Sequence, residues 1–168
     1  MKKFISFLLV VVILGASFGD FSTSASASEG VISSKFSDLP LSSIEYLKDG
    51  GFIETRIGEV VNPIQTYGTV YSKTAYKVKT SYTKDGEMNW QFYIYGTFTI
   101  NPGVSSTCTN DWYTYSVNSP WSLESASSHH SAIAAIGNAK FVRKFLFIVR
   151  ETNNVSMDVS CDKNGNIK

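Results

Sequence analysis

Residues 90–100, WQFYIYGTFTI, constrain the fold of this chain more than any other stretch, because the two faces they define differ without a break. Met88, Trp90, Phe92, Ile94, Phe98 and Ile100 are apolar, whereas Asn89, Gln91, Tyr93, Tyr95, Thr97 and Thr99 can all hydrogen-bond to water. That period of two belongs to a half-buried β-strand; a helix would scatter the same side chains around its circumference. Gly96 within the run marks a bulge or a close backbone approach.

The start of the chain reads as an export signal: Lys2 and Lys3, an apolar core over residues 4–14, and the small-residue cleavage site Ala25-Ser26-Ala27. The apolar run is shorter than the roughly 20 residues of a membrane-spanning helix, and no apolar tail follows the C-terminal DKNGNIK. A secreted, extracellular product with no stable membrane anchor after cleavage is therefore expected. The 141 residues that follow residue 27 suffice for one domain with a single core. They keep 13 basic and 13 acidic residues once Lys2, Lys3 and Asp20 are removed. A balanced charge gives no global field to steer the protein onto nucleic acid or anionic lipid. Lys140, Arg143, Lys144 and Arg150 nevertheless cluster late in the chain, most simply as a solvated strand face.

Residues 28–67 read as an N-terminal extension. Residues 42–48 suit one or two helical turns ended by Gly50-Gly51, residues 51–61 suit a short edge strand, and Asn62-Pro63 marks a break. A β-sandwich domain is expected over residues 68–168. Its first long strand, residues 70–82, sets Val70, Ser72, Thr74, Tyr76, Val78 and Tyr82 against a basic solvent face of Lys73, Lys77 and Lys79. The turn at Asp85-Gly86 sends the opening strand back antiparallel, and Asn101-Pro102-Gly103 turns it into residues 104–117, with a bulge suggested at Asn110-Asp111. Residues 131–151 are readable as a helix with Phe141, Val142, Phe145, Ile148 and Val149 on one face. The favoured reading is strands, with a turn at Gly137-Asn138 and with FLFIV as a run covered on both sides. In the last strand Val155, Met157, Val159 and Cys161 share the core face.

Short antiparallel strands at turn spacings of roughly 10 residues predict an all-β fold, an antiparallel immunoglobulin-like β-sandwich or a small barrel. Cys108 and Cys161 are the two cysteines. In an exported protein their natural reading is one disulfide, worth about 4 kcal/mol in the chain-entropy model, on which Trp90 or Trp121 would pack. Two free thiols are the alternative.

GTFTI at residues 96–100, Ser105-Ser106-Thr107-Cys108, Trp121, GNAKF at residues 137–141 and VSCDKNGN at residues 159–166 together resemble a family of small uncharacterised proteins exported by Gram-positive bacteria. The resemblance covers about residues 68–168 and implies export, a β-sandwich and a disulfide. FLFIV and the doubled histidine depart from the family pattern.

Catalytic constellations are poorly represented. His129 and His130 are the only histidines, and neighbours in an extended chain point to opposite faces, so no metal site is expected. No G-x-S-x-G elbow accompanies Ser127, Ser128 and Ser131, and Asp111, Glu124, Asp158 and Asp162 form no obvious catalytic pair. The 162–166 stretch resembles the start of a calcium loop but lacks the distal bidentate Glu, which favours a plain turn. Tyr93, Tyr95, Tyr113 and Tyr115 are expected on one face opposite the core, as a stacking platform for a sugar or an extended partner chain. The expected function is thus a secreted, non-catalytic protein without cofactor that binds a cell-wall polymer, a glycan or a protein. The alternative is a membrane-active toxin or bacteriocin-like protein acting through the basic amphipathic residues 140–150.

Overall fold

The structure, a computed structural model, describes residues 39–60, 66–67 and 69–168. The expected export signal and the break at Asn62-Pro63 lie outside the described residues. The described residues are all-β: β1 (Leu41–Tyr46), β2 (Phe52–Val60), β3 (Thr66–Tyr67), β4 (Val70–Tyr82), β5 (Met88–Asn101), β6 (Ser105–Val117), β7 (Trp121–His130), β8 (Ala134–Phe145) and β9 (Ile148–Ser160). One antiparallel sheet runs β1-β2-β4-β5-β6, with β3 paired to β4, and a second runs β7-β8-β9. Each strand lies mostly beside its neighbour in the chain. The topology is therefore two meanders joined by one crossing, not the strand exchange of an immunoglobulin domain.

The opening strand is the centre of the core. From β5, Trp90, Phe92, Ile94, Phe98 and Ile100 are fully buried against Ala135, Ala139 and Phe141 of β8 and Val155, Met157 and Val159 of β9. Trp90 stacks on Phe141 with ring centroids 4.6 Å apart and planes 6° from parallel, and Phe92 meets the same ring edge-on. The sheets approach closely at two glycines. A Cβ on Gly137 would stand 3.0 Å from Ile94 Cβ, and one on Gly96 would stand 3.0 Å from Ala135 Cβ and 2.7 Å from the Phe98 ring of its own strand. Gly96 is thus explained by close approach. The bulge lies next to it, where Thr97 pairs with Asn110 and Phe98 with Cys108, leaving Thr109 as the extra residue.

Several expectations need correction. Residues 42–48 are not helical: β1 pairs with β2, and Leu47 N donates to Gly51 O at 2.8 Å to close a turn in which Gly50 takes φ 87°. The glycines serve a hairpin rather than a helix end. β2 is an interior strand between β1 and β4, so the larger sheet begins well before residue 68.

In β4 the basic row faces inward. Lys77 pairs with Ile94 and Lys79 with Phe92, which places them on the core side of the sheet, while Tyr76, Val78 and Thr80 are buried on the other side. The physical reason is width: a five-strand path faced by three strands leaves an uncovered flank where lysine stems lie on apolar surface. Lys77 is half-buried there, and desolvation holds its ammonium below the ordinary lysine range, against the opposing pull of Asp158.

The disulfide is not formed. Cys108 and Cys161 are free thiols, both buried, and each donates to a carbonyl beside it, Asn110 O at 3.4 Å and Asp162 O at 3.5 Å. Burial pushes both thiols up from their ordinary value. Gly137-Asn138 is not a turn but lies within β8, and the FLFIV run is not covered on either side.

Candidate functional site

β8 and β9 continue past their neighbour. Trp121, the first residue of β7, pairs with Arg143, so residues 144–149 extend as a two-stranded hairpin with no third strand beside them among the described residues. Phe145 pairs with Ile148, and Leu146 and Phe147 make the turn with φ 47° and 67°. Positive φ at both central residues is the geometry of a type I′ hairpin turn, for which Asn-Gly is the preferred pair. A left-handed conformation costs an ordinary L-residue about 1–2 kcal/mol. Leucine and phenylalanine thus occupy the two positions of the hairpin least suited to them.

These side chains do not offset that cost by burial. Phe147 is 98% exposed and Leu146 74%, and Phe145, Ile148 and Val149 are each at least 45% exposed. Five consecutive large apolar residues therefore stand in water at the end of a projecting hairpin.

A ring of cations lies at its base. Lys144 pairs with Val149 whereas Arg143 pairs with Glu151, which makes Arg150 the extra residue of a bulge. Arg143 is held in place, 2.8 Å from Glu151 Oε2 and with its guanidinium 5.9 Å from the centre of the Trp121 ring. Lys140 pairs with Glu124. Lys144 and Arg150 are exposed and have no ion-pair partner among the described residues.

The four tyrosines expected on one face are divided between two. Tyr113 pairs with Ile94 and Tyr115 with Phe92, so both lie on the core side; Tyr113 packs against Phe92, and Tyr115 is exposed at the flank. Tyr93 and Tyr95 remain on the outer face of the larger sheet. Tyr95 is only 5% exposed, stacked between Tyr93 at 5.9 Å and Trp112 at 5.0 Å, with Tyr76 also in contact. The rings use their faces on one another, which leaves Tyr95 no free face for a sugar. The Thr109 bulge is the cause of the division, because one extra residue turns every later side chain of β6 to the other face.

Burial in this cluster pushes Tyr93 up to about 12, reinforced by Tyr95, Tyr76 and Tyr82. An unfolded tyrosine ionises near pH 10. The neutral phenol of Tyr93 therefore contributes stability that is complete below about pH 10 and lost as pH rises through about 12. Absorbance titration of native protein at alkaline pH is expected to show a late-ionising tyrosine that Tyr93→Phe removes.

Other polar groups are committed to structure. His130 Nδ1 lies 2.5 Å from Asp111 Oδ1, joining β7 to β6, an oriented base that the sequence did not disclose. Among the described residues no hydroxyl or thiol is bonded to that histidine, and Ser131 Oγ donates instead to Ala134 O at 3.4 Å. Asp162 Oδ1 accepts from the backbone amides of Asn164 and Asn166 at 2.8 and 3.0 Å, and its carboxylate also takes the Asn166 side-chain amide. Those hydrogen bonds hold its carboxyl below the usual range and shape the C-terminal turn. Among the described residues no cluster of three metal-ligating side chains occurs.

The exposed tip was hidden in the sequence because nothing there marks a turn. The available signal was symmetry, since FLFIV has Lys144 immediately before it and Arg150 immediately after. Comparison with family models, curated proteins and solved structures finds no match to this chain.

Proposed function

We propose that this chain is an exported, non-catalytic protein that docks on lipid bilayers by burying the β8–β9 tip in the outer layer of the membrane. The observation that carries this reading is the turn itself, in which Leu146 and Phe147 are both strained and exposed. Folding disfavours them twice, and transfer into hydrocarbon is the event that rewards them. Full burial of such a side chain contributes about 1.5–3 kcal/mol, so the five partly exposed ones supply roughly 5–10 kcal/mol. Part of that is spent on the lost freedom of association, which leaves reversible docking.

Shape and depth agree. The tip is convex and narrow, unlike a groove made for a peptide or a sugar. Two paired rows and a turn reach about 7–10 Å, comparable with the 5–10 Å to which interfacial segments enter the headgroup and acyl boundary. Among the described residues no helix is long and apolar enough to cross a membrane, and the short reach of the tip makes the proposed contact interfacial. Export is supported by the pattern of residues 1–27.

Flotation with lipid vesicles tests the reading. The protein is expected to rise with the vesicles; protein that stays at the bottom of the gradient with every lipid tried contradicts it.

A further inference from the structure

We propose that the membrane this hairpin takes is an anionic one, recognised by Lys144 and Arg150 as paired phosphate contacts at the base of the apolar tip. This inference rests on the membrane-docking reading and adds the class of lipid. Lys144 immediately precedes the apolar run of residues 145–149 and Arg150 immediately follows it, as the extra residue of a bulge. Bulges re-aim a side chain relative to a regular strand.

The neighbouring cations behave differently. Arg143 is neutralised by Glu151 at 2.8 Å and set against the Trp121 ring, and Lys140 is neutralised by Glu124. These pairs stiffen the collar and add no net charge. Lys144 and Arg150 are exposed and without ion pairs among the described residues, so the local charge is positive although the balance of the exported chain is even. Along the hairpin axis the order is apolar turn, two unpaired cations, then a paired arginine beside an indole. Trp121, buried in the core, backs Arg143 from the protein side, and a bilayer entered from outside presents phosphate above hydrocarbon. The tip repeats that order from its apex inward. An anionic bilayer carries its charge directly above hydrocarbon over its whole surface, which matches a convex apolar apex backed by cations.

Binding of the full exported chain to vesicles of phosphatidylcholine alone, and of phosphatidylcholine mixed with phosphatidylglycerol, tests the inference. Two surface cations are expected to strengthen binding to the mixed vesicles by roughly 10- to 30-fold, an increment that falls as salt is raised. Lys144→Gln with Arg150→Gln is expected to remove the increment and keep binding to neutral vesicles, and Lys144→Arg with Arg150→Lys to restore it. Soluble glycerol phosphate is expected not to compete. Equal binding of the unaltered chain to both vesicles, an increment that survives the double glutamine variant, or competition by glycerol phosphate would overturn the lipid assignment while leaving docking itself intact. Failure to bind either vesicle would overturn docking as well.

Discussion

Replacing Leu146 with Asn and Phe147 with Gly is expected to make the protein more stable and to abolish its attachment to vesicles. Asn and Gly are the residues that a type I′ turn prefers, and φ values of 47° and 67° are strained for the residues now present. Relief of about 1–2 kcal/mol at each position, less roughly 0.5–1 kcal/mol for the greater freedom of unfolded glycine, gives a net gain of about 1–3 kcal/mol. No buried contact is lost, since both side chains are exposed. A rise of a few degrees in Tm is the corresponding readout. The same variant removes the two most exposed apolar side chains of the tip, and vesicle flotation should fall to background. Gain of stability with loss of binding separates a functional tip from a merely unfavourable turn. A variant that is more stable and still floats would contradict the role given to the turn.

The largest loss of stability is expected from Phe141→Ala. Phe141 is fully buried, stacked on Trp90 and edge-on to Phe92, at the point where the two sheets share their core. Truncation of a buried phenylalanine costs about 3–5 kcal/mol, and the loss of a stacked partner about 0.5–1.5 kcal/mol, against a total stability of roughly 5–15 kcal/mol. The midpoint of denaturant unfolding should fall by a third or more while its slope is unchanged. Phe147→Ala, one of the same residue type at the exposed tip, should leave that midpoint almost where it was.

The contrast between these two phenylalanines shows what the sequence carried. Strands with strict alternation were legible: the even positions of β5 from Trp90 to Ile100, and Val155, Met157, Val159 and Cys161, are all buried as their period required. Legibility failed where one residue changes the register. Thr109, the extra residue of a bulge, turned Tyr113 and Tyr115 to the core side and broke up the tyrosine platform. It failed again where one pattern has two meanings. Gly50-Gly51 serves a hairpin as well as a helix end, and Lys73, Lys77 and Lys79 fit an uncovered flank of the inner face as well as an open outer one.

FLFIV is the clearest instance. A short apolar run between polar residues reads as a strand buried on both sides, because hydrophobicity predicts burial and this hairpin has no glycine or asparagine at its turn. Local chemistry and final environment disagree at Leu146 and Phe147. Such conflicts concentrate where function has overridden foldability, which is what makes the tip the candidate site.

The most direct measurement is the environment of residue 147 when vesicles are added. Phe147→Cys introduces one exposed thiol beside the two buried native ones, so a polarity-sensitive fluorophore attaches selectively at the tip. Docking by tip insertion is expected to shift its emission to the blue and to make it quenchable by brominated acyl chains. Emission that keeps its aqueous wavelength on vesicle-bound protein would contradict insertion of the tip.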